Sequence, residues 1–270
     1  MTLDEKLAAL RGAVEEMGRV LVCFSGGVDS SFLLRVASDA LGDEAIALTT
    51  VSPTNPDEDT EEALALAREL GVAHIVIRAN ELEIPNYREN STNRCYFCKS
   101  NLYDIAAAEA RAREIPWIVD GVNLDDLADY RPGLRAAGER RIRHPLAEAE
   151  LSKKEIRSLS RTLGMRTWDR PASPCLSSRF PYGTLITLEG LERVAQGEKW
   201  LRSRGFRECR VRYYESYVRI EVPLAEVQRL LEPPLSDEVE RSFHELGFER
   251  VEIDPRGFRS GSLNQGLTAV

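Results

Sequence analysis

The chain has 270 residues and a formal net charge of −8, with 30% charged and 43% hydrophobic residues. This composition is typical of a soluble globular protein, and the lack of an apolar run of about 18 residues argues against a membrane span. The acidic balance argues against a large DNA or tRNA footprint, because nucleic-acid binders are usually basic.

Residues 1–18 predict an amphipathic helix that carries acidic side chains. A secretory signal has a basic flank and an apolar block, and a mitochondrial presequence avoids acids. We therefore expect a cytoplasmic protein.

Short apolar runs alternate with amphipathic segments through the following hundred residues. The apolar runs predict buried strands at 19–24, 44–52, 72–79 and 115–123. The amphipathic segments predict helices at 31–42, 57–70 and 98–113, and residues 80–94 are polar and irregular. This alternation predicts a doubly wound parallel sheet in an α/β domain.

The second half of the chain begins with a helix predicted over 151–164, where Ser152 and Glu155 form a capping box. A segment with three prolines follows, and the domain boundary is placed near 180. Beyond it, the pattern predicts helices at 188–204, 223–231 and 236–246, and strands at 208–214, 217–222 and 249–254. The sequence thus predicts an α/β domain over 1–180 and a smaller α+β domain over 181–270.

The string SGGVDSS, residues 25–31, lies between the first predicted strand and its helix. Its glycines allow a tight turn that brings backbone N–H groups to an anion, and the helix N-terminus favours negative charge. Asp29 would repel a phosphate unless Mg²⁺ lies between them, so it is predicted to face the metal. No Walker lysine is present, and a plain Gly-Ser turn is the alternative. The predicted ATP contacts here are Ser25, Gly26, Gly27, Asp29 and Ser30.

A second polar string, DGVNLDD at 120–126, follows the fourth predicted strand. Parallel sheets bind ligands beyond the carboxyl ends of their strands, so both strings should face one crevice. Asn123 and Asp125, with Asp126, are then candidate contacts for the nucleotide or Mg²⁺. The alternative is an Asx-rich turn.

Together with DGVNLDDLADYRPGL, RHPLAEAELSKKEIR and PASPCLSSRFPYGTLIT, the string SGGVDSS resembles the LarE family of PP-loop ATP pyrophosphatases. The resemblance covers nearly the whole chain. It implies that ATP and Mg²⁺ adenylate the carboxylates of pyridinium-3,5-biscarboxylic acid mononucleotide. A sulfur nucleophile, from sulfide or another donor, then displaces AMP and leaves thiocarboxylates for nickel-pincer nucleotide synthesis. The family also implies a closed homo-oligomer.

The chain has five cysteines, an odd number that argues against a disulfide framework in a cytosolic protein. Cys175 matches the family's sulfur-handling position, and Cys175 and the metal-facing Asp29 are the expected catalytic residues. Cys95 and Cys98 match the branch that holds a [4Fe-4S] cluster on three cysteines, with Cys175 as the third ligand. A Cys₃His zinc site, a redox disulfide and sacrificial loss of the Cys175 sulfur stay open. Cys23 is expected to be a core residue, and Cys209 has no assigned role.

Four polar residues of the C-terminal half match the family's substrate contacts. Ser178 and Arg179 resemble its SR pair, and arginine forks suit both phosphate and carboxylate. Arg210 and Arg212 alternate along a predicted strand and therefore point to one face. The family's equivalents line a phosphate site between subunits, with an acid such as Glu221 nearby. A solvated strand face is the alternative.

Three functions from other classes remain. A PP-loop tRNA thiolase needs a basic docking surface, which the net charge disfavours. An amide-forming ligase needs an ammonia source and leaves the cysteines without a use. A nucleotide-sensing module would bind ATP without releasing pyrophosphate.

Overall fold

The computed structural model describes residues 1–127 and 132–259, and it divides into two compact units. The first unit contains Met1–Glu81 and Asn93–Ser173, and the second contains Leu82–Thr92 and the chain from Pro174 onward. The predicted boundary near 180 stays a prediction. The short segment Leu82–Thr92 belongs to the second unit, and no local signal in the sequence indicated this.

The first unit is built on a four-stranded sheet in the order β3-β2-β1-β4, and all strand pairs are parallel. Its strands are β1 Val20–Cys23, β2 Ala45–Val51, β3 Ala73–Arg78 and β4 Trp117–Asp120. The central strand β1 is buried along its whole length, as expected for a sheet covered by helices on both faces. The predicted α/β class with a parallel sheet is confirmed.

Helices cover both faces of this sheet. The helices of the first unit are α1 Leu3–Met17, α2 Val28–Leu41, α3 Asp57–Glu69, α5 Arg94–Ala112, α6 Leu124–Leu127, α7 Pro132–Glu139, α8 Pro145–Glu148 and α9 Lys153–Thr162. The short helix α4, Pro85–Arg88, belongs to the second unit. One apolar core lies under α1, α2 and α9, and another lies under α5 and α7. No helix of the described residues is long and apolar enough to cross a membrane.

The strand order reverses at β1, since β2 and β3 lie on one side of it and β4 lies on the other. The loops after β1 and β4 are therefore neighbours, and Cys23 is in register with Asp120. A Cβ on Gly121 would lie 2.8 Å from the backbone nitrogen of Ser30, so the two loops touch. The two polar strings therefore meet at the carboxyl edge of the sheet, and a ligand-binding crevice between them stays a prediction.

The start of α5 differs from the prediction. The helix begins at Arg94, four residues before the predicted start at 98, and Arg94 is buried. Burial of Arg94 accompanies the extension of the helix into a stretch whose polar composition favoured a loop. Cys95 and Cys98 therefore lie on one face of the first helical turn and not in an irregular segment.

The second unit is a small α+β fold. Its sheet has the order β5-β6-β7, in which β5 and β6 are antiparallel and β6 and β7 are parallel. Its further elements are β5 Arg210–Tyr214, β6 Tyr217–Glu221, β7 Arg250–Ile253, α10 Leu188–Ser203, α11 Leu224–Leu231 and α12 Leu235–Glu245. Gly197 in α10 is required by packing, because a Cβ there would lie 2.8 Å from the ring of Phe243.

Candidate active site

The segment 25–31, called the phosphate loop below, joins β1 to α2. Gly26 has a φ of +71°, a conformation that L side chains rarely adopt, and a Cβ there would lie 3.0 Å from the Cβ of Ala63. Gly27 is the N-cap of α2, and the hydroxyls of Ser25 and Ser30 lie 3.0 Å apart. The loop therefore presents backbone N–H groups and two hydroxyls at a helix N-terminus, which suits an anion.

Asp29 lies in the first turn of α2 and has two differently used oxygens. Its Oδ2 accepts a hydrogen bond from Nζ of Lys153. Its Oδ1 is buried and has no hydrogen-bond partner among the described residues. A buried carboxylate oxygen without a partner is costly, and oxygen ligands are what Mg²⁺ takes. The donor set therefore fits the predicted metal-facing role.

Lys153 was missed by the sequence reasoning, although the cap that positions it was predicted. The backbone N–H of Ser152 donates to Glu155 at 2.8 Å, and this capping box starts α9. Lys153 stands at the first position of that helix, and its backbone N–H donates to Asp125 at 2.9 Å. The ammonium absent from the phosphate loop itself therefore comes from a helix 124 residues further along the chain.

The side chains of Asn123 and Asp125 make local turn contacts. The Oδ1 of Asn123 accepts from the backbone N–H groups of Asp125 at 2.9 Å and Asp126 at 3.3 Å. This is an Asx turn that starts α6, and it matches the alternative raised from the sequence. Nucleotide contacts by Asn123 and Asp125 stay a prediction.

Asp120 ends β4 and is almost fully buried. Its carboxylate accepts from Nδ1 of His144 at 2.6 Å and from the hydroxyl of Tyr103 at 2.5 Å. Burial alone would raise the pKa of Asp120, but the His144 hydrogen bond and the charge of Lys99 outweigh it and hold the pKa below its ordinary value. An ionised carboxylate therefore lies directly beneath the edge of the sheet that carries the phosphate loop.

The cysteines fall into an accessible set and a buried set. Cys95 is exposed, and Cys98 and Cys175 are half-buried. Burial raises the pKa of Cys23 and of Cys209 to about 12, so these two remain thiols at neutral pH. The accessible set is the same three residues that the sequence singled out as cluster ligands. In the described ranges, no three His, Cys, Asp or Glu side chains are gathered to hold a metal ion, and the cluster stays a prediction.

Arg179 lies in a buried ion pair that the sequence did not predict. It is 1% exposed, and two of its nitrogens donate to Glu198 of α10 at 2.7 and 2.8 Å. Its third nitrogen donates to the carbonyl oxygens of Pro174 at 2.6 Å and Cys175 at 3.1 Å. Its contacts therefore hold the loop that carries Cys175, and its substrate-binding role stays a prediction.

Arg179, Glu198, Arg210, Arg212 and Glu221 are called the arginine cluster below. Arg212 donates to Glu221 at 2.7 Å and to the carbonyl of Ser178 at 3.0 Å. Arg210 and Arg212 are only 7% and 6% exposed, so the solvated strand face is wrong. Burial, and next the charge of Arg179, lower the pKa of Arg210, as expected where cations are crowded.

The structure thus brings Ser178 and Glu221 together with the three predicted arginines. The missed member is Glu198, whose pKa is held below its ordinary value because the charge of Arg179 outweighs the effect of burial. A carboxylate in a mid-helix position near two glycines offers no local signal of such a role. Only its tertiary partner identifies it.

Comparison with known proteins shows several relatives. The NAD synthase family model matches residues 3–115. An uncharacterised protein of Synechocystis is 47% identical over 98% of this chain and 99% of its own length. A pyridinium-3,5-bisthiocarboxylic acid mononucleotide synthase of Lactiplantibacillus plantarum is 39% identical over 99% of this chain and 96% of that protein. An NH₃-dependent NAD⁺ synthetase of Methanopyrus kandleri is 46% identical, over 25% of each chain.

Proposed function

The chain belongs to the LarE family of PP-loop enzymes, and from that premise we propose that it converts both carboxylates of pyridinium-3,5-biscarboxylic acid mononucleotide to thiocarboxylates. The family places the enzyme in the synthesis of the nickel-pincer nucleotide precursor, with ATP and Mg²⁺. We assign residues of this chain to three tasks: adenylation of the carboxylates, binding of the substrate and delivery of the sulfur.

The first half-reaction is adenylation. The phosphate loop binds the triphosphate through backbone N–H groups, and Asp29, whose Oδ1 has no hydrogen-bond partner among the described residues, would hold Mg²⁺, which would neutralise phosphate charge. Lys153, now paired with the other Asp29 oxygen, supplies positive charge beside the phosphates. A substrate carboxylate attacks the α-phosphorus, and pyrophosphate leaves with the electrons of the broken P–O bond. The acyl-adenylate that forms carries AMP as a good leaving group.

Substrate binding is assigned to the arginine cluster and Ser178. The mononucleotide has one phosphate and two carboxylates, and arginine forks match both groups. The arginine cluster has three arginines and two glutamates, so it keeps a net positive charge, and the low exposure of Arg210 and Arg212 strengthens the attraction of that charge for an anion. We further propose a homo-oligomer in which a neighbouring subunit completes the phosphate site.

One observation carries the choice among PP-loop chemistries. The match to the bisthiocarboxylate synthase runs over 96% of that protein, whereas the match to the NAD⁺ synthetase stops at a quarter of it. An amide-forming ligase also has no use for three accessible thiols. Sulfur is therefore the acceptor of the acyl group in this proposal.

Pyrophosphate release tests the substrate. Purified protein with ATP and Mg²⁺ should release pyrophosphate on addition of the dicarboxylate mononucleotide. It should not do so with deamido-NAD⁺ and ammonia, or with bulk tRNA. Release that depends on either of those two and not on the dicarboxylate would replace this function with a ligase or a tRNA thiolase.

The sulfur route is assigned to Cys95, Cys98 and Cys175 as ligands of one [4Fe-4S] cluster. Their accessibility fits, since clusters bind thiolates and the two buried cysteines are held as thiols. Held by Cys95, Cys98 and Cys175, a cluster would supply an iron without a protein ligand, at which hydrosulfide from sulfide or another donor could bind. The chain itself contributes two cysteines on one helix face and a third whose carbonyl is held by Arg179.

Anaerobic iron and sulfide analysis of the cysteine variants tests this route. Replacing Cys95, Cys98 or Cys175 by alanine should remove the cluster absorption and the sulfur transfer while pyrophosphate release continues. Cys209→Ala, at a buried cysteine outside the set, is the control and should keep its iron. An iron-free wild type that turns over once and becomes lighter by the mass of hydrogen sulfide would establish sacrificial use of Cys175 instead.

A further inference from the structure

Arg170 connects the phosphate loop with the segment that leads to Cys175. Its Nη1 donates to the carbonyl oxygen of Gly26 at 3.0 Å, and its Nη2 donates to Asp59 at 2.5 Å. The other oxygen of Asp59 accepts from the hydroxyl of Ser173 at 2.6 Å. Both carboxylate oxygens of Asp59 are thus engaged, one by the arginine and one by the serine. None of these three side chains has a role in the function proposed above.

The contact with Gly26 fixes the orientation of a peptide in the phosphate loop. In a planar trans peptide, the carbonyl of one residue and the N–H of the next point in opposite directions. Arg170 holds the Gly26 carbonyl, so the N–H of Gly27 is held pointing away from Arg170, at the start of α2, where it donates to the hydroxyl of Ser25 at 3.4 Å. Gly26 has a φ of +71° and no side chain to resist a flip of this peptide. Arg170 therefore supplies the restraint that the glycine lacks.

The contact with Ser173 restrains the approach to the reactive thiol. Ser173 precedes Cys175 by two residues, and consecutive Cα atoms are about 3.8 Å apart, so their Cα atoms are at most about 7.6 Å apart. The stretch before it is anchored separately, because Arg157 donates to the carbonyls of Trp168 and Arg170, each at 2.7 Å. Within the first unit, the Ser173 hydroxyl is thus the last described side-chain contact before Cys175, and in the second unit Arg179 holds the carbonyls of Pro174 and Cys175.

We propose that Arg170, Asp59 and Ser173 are positioning residues that couple occupancy of the phosphate loop to the order of the segment carrying Cys175. An anion that replaces the Ser25 hydroxyl, 3.4 Å away, as acceptor of the Gly27 N–H carries more negative charge, so it polarises the same peptide more strongly and strengthens the hydrogen bond at its carbonyl. A more strongly bound Arg170 guanidinium restrains the carboxylate of Asp59, and that carboxylate restrains the hydroxyl of Ser173. The thiol segment is therefore ordered while the phosphate loop is occupied, so that it is already in place when the acyl-adenylate forms. This inference rests on the proposed function only in requiring that the loop bind ATP.

Hydrogen exchange of the full-length protein, measured by mass spectrometry, tests the coupling. The probe is α,β-methylene-ATP with Mg²⁺, which cannot be split between its α- and β-phosphates. In the wild type, exchange in the peptide covering 171–177 should slow by about threefold to tenfold when the analogue binds. In Ser173→Ala, the analogue should bind with unchanged affinity and pyrophosphate release should persist, but the slowing should be lost.

Two further variants separate the steps. Arg170→Met should lose the slowing and also weaken binding of the analogue, because the Gly27 N–H is no longer oriented. Ser203→Ala, at an exposed serine of α10 whose hydroxyl donates to the carbonyl of Trp200, is the control and should keep the wild-type slowing.

Each outcome decides the inference. Slowing that persists in Ser173→Ala would show direct protection by the nucleotide and would overturn the coupling. Analogue binding by the wild type without any slowing would also overturn it, while leaving the proposed function intact. If the wild type binds no analogue and releases no pyrophosphate, the proposed function fails first and the inference fails with it.

Discussion

The phosphate loop and the arginine cluster both suit anions, but they are built in opposite ways. The loop offers backbone N–H groups and leaves one oxygen of Asp29 without a described partner. The cluster is buried, and the guanidinium of Arg179 already donates hydrogen bonds to Glu198 and to two backbone carbonyls. Backbone N–H groups can bind a ligand without breaking contacts that stabilise the fold. Buried ion pairs, in contrast, contribute to the stability of the fold as well as to any ligand binding. Substitutions should therefore separate binding from stability in the first region and combine them in the second.

The largest expected effect is in the arginine cluster. Glu198→Ala leaves Arg179 buried without its carboxylate, so the free energy of unfolding should fall by about 3–5 kcal/mol. Urea unfolding at pH 7 measures this. The matched control is Glu238→Ala, which removes an exposed partner of Arg204 and should cost less than about 1 kcal/mol. Equal effects of the two variants would contradict the structural role of the cluster.

Arg212 tests whether the cluster also binds substrate. Arg212→Ala should weaken use of the dicarboxylate mononucleotide roughly tenfold to hundredfold, since a charged hydrogen bond contributes about 1.5–3 kcal/mol. ATP binding should stay close to normal. Arg212→Lys keeps a charge beside Glu221 and should recover stability, but it lacks the planar fork and should not recover full affinity. If ATP binding fell as far as substrate use, Arg212 would belong to the nucleotide.

Asp29 tests the prediction for the phosphate loop, where a side chain should contribute to ligand binding but little to the stability of the fold. Asp29→Asn should lower pyrophosphate release by at least about tenfold, because the charge that holds Mg²⁺ is lost. The thermal midpoint should change little, since Asp29 pairs with a lysine whose side chain is 35% exposed. Near-normal release would remove Asp29 from the mechanism, and a large loss of stability would end the contrast with the cluster.

The smallest effect is expected at the cap that positions Lys153. The Lys6 hydrogen bond, followed by the Ser152 contacts, lowers the pKa of Glu155 to about 2. A lowered folded-state pKa stabilises the protein above the ordinary value of 4.5, and this contribution is lost as the pH falls toward 2. Glu155→Gln should therefore cost about 1 kcal/mol at pH 7, after screening by solvent. The difference from wild type should shrink at pH 3, and a constant difference would contradict the assignment.

The same contrast explains what the sequence could predict. The phosphate loop was readable because its glycines, serines and flanking strand are contiguous, and each answers a local requirement of the backbone. Only one member of the pair of Arg179 and Glu198 could be predicted. The arginine lies in a recognisable sequence motif, but its partner is 19 residues away on a helix. Lys153 was missed because its target is 124 residues away, and only the fold brings them together. The predicted start of α5 was wrong because it depends on the burial of Arg94, and burial is set by the tertiary fold and not by the local sequence.

One anaerobic reaction measures adenylation and sulfur transfer by this protein together. The protein is incubated with the dicarboxylate mononucleotide, ATP, Mg²⁺ and excess sulfide, and AMP, thiocarboxylate product and intact protein mass are measured together. We expect a product in which sulfur replaces carboxylate oxygen, with one AMP formed for each replacement, more than one replacement per chain and an unchanged protein mass. AMP formation without any thiocarboxylate, or no AMP that depends on the dicarboxylate, would contradict it.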